Sequence, residues 1–171
     1  MRHYVKWFFV VLLISSLTSF IEKNKTVTGL SVGEYAPDFV IKGGSDAETP
    51  ARKRLSELRG NLVLVNFWAS YDATSRIRNI ELSRALANQE NAANDIEFVS
   101  VSFDDYESIF KETVRKDCVV GAGCFVETAG SESRIFRNYK LKDGLTNYLL
   151  DEDGMIIAKN ISVEELSTYL N

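Results

Sequence analysis

Leu62-Val63-Leu64-Val65-Asn66-Phe67-Trp68-Ala69-Ser70-Tyr71-Asp72-Ala73-Thr74-Ser75 carries an apolar β run straight into the start of a helix. Leu62 to Phe67 is too short for a helix and rich in Val and Leu, the pattern of a strand buried on both faces and hence of a sheet's centre. The junction after it sets helix-start amides at the edge of the sheet, where reactive groups commonly sit. What chemistry Asp72 to Ser75 can support is therefore the first functional question.

Working outward, Ile77, Ile80, Ala85 and Leu86 recur at helical spacing from Thr74 to about Ala92, and Ile96 to Val101 follows as a strand. This is a βαβ unit, parallel and right-handed. Upstream, Phe39-Val40-Ile41 reads as a short first strand that Pro37 keeps near an edge, and Gly43 to Asp46 turns the chain. Arg54 to Arg59 fits one helical turn with Leu55 and Leu58 inward. Downstream, Asp104 and Glu107 have capping-box spacing for a helix to about Lys116 that buries Ile109, Phe110 and Val114. Cys118 to Val126 is irregular or a short strand, and Ser131 to Tyr139 a short helix with Ile135, Phe136 and Tyr139 inward. Thr146 to Leu150 and Met155 to Lys159 form a hairpin around Asp151-Glu152-Asp153-Gly154, and Ser162 to Leu170 closes the chain as a helix capped by Ser162 and Glu165.

A chain of 171 residues with 45% hydrophobic and 26% charged residues fits one packed domain and excludes a largely disordered one. Residues 1–21 read as a targeting segment, with Arg2, His3 and Lys6 as a basic head before the apolar run Trp7 to Phe20. That run falls short of the roughly 20 residues a bilayer span needs, which favours a signal peptide. The absence of a clean small-x-small cleavage site keeps an uncleaved anchor open as well. Residues 22–31 read as a polar linker, with order expected from near Val32 to residue 171. The folded part is thus expected to be exported, either periplasmic or anchored facing the periplasm, where disulfides are permitted. Membrane contact is expected only through the N-terminal segment. Without Arg2 and Lys6 the 20 basic residues fall to 18 against 24 acidic ones, a net charge of about −6, which excludes nucleic acid as a partner. His3 is the only histidine, so the domain has no Ser-His-Asp triad, Cys-His pair or histidine-bearing zinc site.

The order of elements, a βαβ half followed by a hairpin and a closing helix, resembles the thioredoxin-like family. Val32 to Phe39, Leu55 to Gly60, Val63 to Ser70 and Tyr148 to Gly154 are similar to segments of its exported TlpA/ResA-type thiol-disulfide oxidoreductases, over residues 32–171. The resemblance implies an α/β thioredoxin-like fold: a central mixed β-sheet flanked by helices, with an N-terminal β extension. It also implies Trp-Cys-x-x-Cys after Ala69-Ser70, where this chain has Tyr71-Asp72-Ala73-Thr74-Ser75. Dithiol exchange needs an attacking thiolate and a resolving thiol, and Asp72 and Ser75 supply neither. No histidine is at hand to activate the Ser75 hydroxyl. Asp72 reads instead as an N-cap for the amides of Thr74 or Ser75. Tyr71 stands where the family has an exposed tryptophan, and reads either as a partner contact or as plain surface; Trp68 reads as core. Leu145, before Thr146-Asn147-Tyr148, occupies the family's cis-proline position, so a trans peptide and a reshaped substrate groove are expected. Tyr71, Asp72, Thr74, Leu145 and Thr146 are the binding candidates, and no residue is assigned as catalytic.

Cys118 and Cys124 leave three readings open: a local disulfide, free buried thiols, or a redox pair. Two thiols are too few for structural zinc. Asp104, Asp105, Asp151, Glu152 and Asp153 are explained by turn and capping chemistry, so neither metal nor cofactor is expected. The expected function is that of an exported thioredoxin-like domain without the redox dithiol, a binding or structural module whose partner is an envelope protein or peptide. The alternative is a thiol-disulfide oxidoreductase or peroxiredoxin-like activity through Cys118 and Cys124.

Overall fold

The computed structural model describes residues 27–42, 52–87, 96–119 and 123–170. Among these, the strands are β1 (Val40–Lys42), β2 (Arg52–Arg54), β3 (Leu62–Trp68), β4 (Ile96–Ser102), β5 (Cys124–Val126), β6 (Asn147–Leu150) and β7 (Ile156–Lys159). The helices are α1 (Ala73–Ala87), α2 (Glu107–Asp117), α3 (Arg134–Asn138) and α4 (Val163–Leu170), with a 3-10 turn at Leu55–Leu58. The sheet runs β5-β4-β3-β6-β7; β3 and β5 pair parallel with β4, while β6 pairs antiparallel with both β3 and β7. It is the mixed sheet of a thioredoxin-like fold, and β1 with β2 forms the separate N-terminal strand pair.

The alternation of β3 explains its central place. Val63, Val65 and Phe67 enter one core with Phe39, Ile41, Leu55, Leu58, Tyr139 and Tyr148. Leu64 enters the other with Leu82, Leu149, Leu166 and Leu170 from the α1 and α4 side. A strand buried on both faces from Val63 to Trp68 sits between two layers. In the first layer the rings of Phe67 and Tyr139 meet at 4.7 Å, and the Tyr139 hydroxyl donates to the Pro37 carbonyl at 2.7 Å. At the sheet's edge, a Cβ on Gly123 would stand 1.8 Å from the Phe98 carbonyl oxygen, so only glycine lets β5 close onto β4.

Three expectations from sequence are corrected. The inward side of α1 is Ser75, Asn79, Leu82 and Ser83, while Ile77 is 55% exposed. The strands beneath it present polar groups: Asn66 Nδ2 and Ser100 Oγ both donate to Asn79 Oδ1, at 2.9 and 2.6 Å, and satisfying that buried set fixes the helix's rotation. Asp104 does not cap α2. The cap position is Tyr106, without a side-chain bond, Ile109 faces solvent, and Phe110 and Thr113 are the buried residues. Thirdly, residues 27–31 belong to the folded part rather than to a tether: Tyr35 N donates to Val27 O and Gly29 N to Tyr35 O. The following residues continue along β7, with Gly33 N donating to Ile156 O and Ile156 N to Glu34 O.

The hairpin and closing helix match the sequence reading. Asp151 Oδ1 accepts from the amides of Asp153 and Met155, and Gly154 takes the turn's positive φ of 85°. Ser162 N donates to Glu165 Oε2 and Glu165 N to Ser162 Oγ, a reciprocal capping box. The targeting segment at residues 1–21, the turn at Gly43 to Asp46 and the end of α1 toward Ala92 lie outside the described residues. Among the described residues no helix is long and apolar enough to cross a membrane.

Candidate functional site

The site forms where the neighbouring parallel strands β3 and β4 end and their chains turn into α1 and α2. At the start of α1, Asp72 Oδ1 accepts from Ser75 N at 2.7 Å, and the Asp72 carbonyl takes the first helical bond from Arg76 N at 3.0 Å. Hydrogen bonds from the Ser75 side chain and backbone hold the Asp72 carboxyl below its ordinary value of 3.8. Ser75 is fully buried; its hydroxyl donates to Asp72 O at 3.3 Å and accepts from Ala69 N at 3.4 Å. The Asp and Ser of this corner are thus bonded to each other and to the local backbone. Thr74 and Tyr71 point to solvent.

Asp104 ties the two loops together. It is 2% exposed, and its Oδ1 accepts from Ser70 N at 2.9 Å and from Ser70 Oγ at 2.6 Å, while Oδ2 accepts from Ser102 Oγ at 2.7 Å. A carboxylate with three donors is a satisfied buried acid. A second tie joins α1 to the end of α2: Arg76 grips Asp117 in a two-pronged pair at 2.6 and 2.7 Å. The Trp68 and Phe110 rings meet between them at 6.1 Å.

On the opposite flank lies the loop of Leu145 and Thr146. No peptide among the described residues is cis. Arg78, reaching across from α1, donates from Nη2 to the Leu145 carbonyl and from Nη1 to Asn160 Oδ1, and Thr146 Oγ1 also meets Asn160 Oδ1. Burial lowers the Arg78 pKa, and the Asp72 charge opposes that shift. The neighbouring carbonyls are also engaged: Phe67 N donates to Thr146 O at 3.0 Å and Asn160 N to Asn147 O at 2.8 Å. Between α1 and the start of α4 runs a groove of about 640 Å³, lined by Thr74, Ile77, Arg78, Glu81, Asn160 and Glu164 among others.

The structure therefore gathers Tyr71, Asp72, Thr74 and Ser75 at one corner, with Leu145 and Thr146 beside them through Arg78. It places the cysteines elsewhere. Cys118 ends α2 in the left-handed conformation with its thiol exposed, and Cys124 opens β5 opposite Ser100. Both are free thiols, and burial pushes the Cys124 thiol up. Among the described residues no three carboxylate, cysteine or histidine groups converge as a metal would require. Reading the sequence missed Asp104, Arg76 and Arg78 as site residues. Their partners lie 34, 41 and 67 positions away, so local spacing carries no trace of them.

No protein-family model matches the chain. It is similar to the thiol-disulfide oxidoreductase ResA of Oceanobacillus iheyensis, at 25% identity over 143 residues covering 82% of this chain and 71% of that protein. It is similar also to the thioredoxin-like protein YneN of Bacillus subtilis, at 27% identity over 140 residues covering 78% and 73%. Among solved structures, a thioredoxin-like protein from Parabacteroides distasonis matches with a TM-score of 0.69 and 34% identity, covering 84% of this chain and 97% of that one. With its mixed sheet, its strand-to-helix corner and these relatives, the chain belongs to the thioredoxin-like family.

Proposed function

We propose that the chain is an exported thioredoxin-like domain without dithiol activity, serving the cell envelope as a binding or structural module for a protein or peptide partner. One observation carries this reading. At the helix start, where thiol chemistry would gain most from the helix amides, Asp72 and Ser75 are bonded to each other and Ser75 is sealed from solvent. The Leu145 carbonyl beside them is held by Arg78, and the open groove along α1 offers contact area without a reactive group. Export is supported by the basic head and apolar run of residues 1–21.

The competing reading, redox turnover through Cys118 and Cys124, finds less support. Cys118 stands at the C-terminal end of α2, opposite to the end whose amides favour a thiolate, and the Cys124 thiol is raised by burial. Insulin reduction with a dithiol reductant, run on the full chain, decides between them. No acceleration over the reductant alone is expected. Acceleration that vanishes in Cys118→Ser or Cys124→Ser protein would overturn the proposal.

A further inference from the structure

Two tyrosines dominate the surface of this corner. Tyr71 is 73% exposed and Tyr106 is 66% exposed, whereas most other rings among the described residues help to build the core. They stand on the loops after β3 and β4, and the Ser70 to Asp104 bonds hold those loops together. Exposed Ile109 stands on α2, which the Arg76–Asp117 pair ties to α1. Large apolar groups left in solvent at one end of a sheet mark contact surface rather than chance exposure.

The charge around the rings is negative. Asp72 follows Tyr71 in the chain and Asp105 precedes Tyr106, and the carboxylates of Asp105, Asp104 and Asp72 all act on the Tyr71 phenol, whose pKa is raised by burial first and by these charges next. Among the described residues neither Asp72 nor Asp105 is in an ion pair, whereas the nearby cations are engaged: Arg76 with Asp117, and Lys111 with Glu107. Arg78 feels the Asp72 charge without pairing with it, and donates instead to the Leu145 carbonyl and to Asn160. Aromatic faces between unpaired carboxylates match the long cationic side chains, which lay an apolar stem on a ring and a charge against its face. A second copy of the chain would bring the same carboxylates against each other, and the whole protein carries a net charge of −4.

We propose that Tyr71, Tyr106, Asp72 and Asp105 form a docking surface for a basic segment of a partner protein, a lysine or arginine lying on a tyrosine ring between the two carboxylates. The inference rests on the binding-module reading above and names the chemistry of the partner. Selection of a random library of short displayed peptides on the immobilised full chain tests it. Enriched peptides are expected to carry Lys or Arg beside apolar residues. Their binding should weaken with added salt and fall about tenfold in Tyr71→Ser/Tyr106→Ser protein and again in Asp72→Asn/Asp105→Asn protein. Asn at position 72 keeps the helix cap, so the charge change does not threaten the fold. No enrichment, enrichment of neutral or acidic peptides, or equal binding by the variants would each overturn the proposal. Turnover in the insulin assay would instead remove the underlying reading, whatever the library yields, so the two failures are distinguishable.

Discussion

At the scale of a residue, Asp72 carries a structural bond at the start of α1. Its carboxylate closes the first turn of α1 through Ser75 N, a bond whose loss in Asp72→Ala protein should cost about 1 kcal/mol at neutral pH, while Asp72→Asn should lose only a few tenths. The sign of the pH dependence follows from the direction of the shift. The folded-state pKa lies below 3.8, so the unfolded chain holds the proton more tightly. The contribution of the charge is complete above the unfolded value and is lost as pH falls through the lower folded value. Urea denaturation of wild type and Asp72→Ala should therefore differ most at pH 7, with the gap narrowing by a few tenths of a kcal/mol as pH falls through the acid range. A gap that does not change with pH would remove the carboxylate's charge from the account.

At the scale of an element, α1 is governed by polar satisfaction more than by apolar periodicity. Asn79→Ala would leave the buried donors of Asn66 and Ser100 without their shared acceptor, and should cost about 2 to 3 kcal/mol. Ile77→Lys, at a position whose spacing suggests core, should stay within about 0.5 kcal/mol of wild type. Thermal melts of the two variants check both, and the reverse order would contradict the helix rotation described. The same contrast marks what was legible in the chain. β3, the hairpin and the Ser162–Glu165 cap rest on alternation, turn chemistry and bonds three residues apart, all of which local sequence displays. The inward face of α1 and the role of Asp104 rest on partners in other elements. A sequence pattern shows that Asn79 is polar, but not that the sheet beneath it is polar too. At the site, the N-cap at Asp72 was legible for the same local reason, and the Arg78 hold on Leu145 was not.

At the scale of the molecule, the fold rests on contacts that do not depend on the residues at the start of α1. Both cores close around β3 on residues away from the corner, so Asp72→Cys/Ser75→Cys protein should fold with unchanged secondary structure. On mild oxidation its new thiols should disappear from a thiol titration, because three residues apart at a helix start is the spacing that forms a strained, reducible disulfide. New thiols that stay titratable after oxidation would show that the corner departs from the geometry of a dithiol site. The N-terminal residues have a different consequence for the molecule. By pairing with Ile156 they cover the first part of the outer strand β7, and the uncovered end carries Lys159; at the other margin β5 is only three residues long, with β1 against it. A sheet with short, covered or charged margins gives a neighbouring chain little template for extending it, so the protein is guarded against strand-to-strand aggregation even in a crowded compartment.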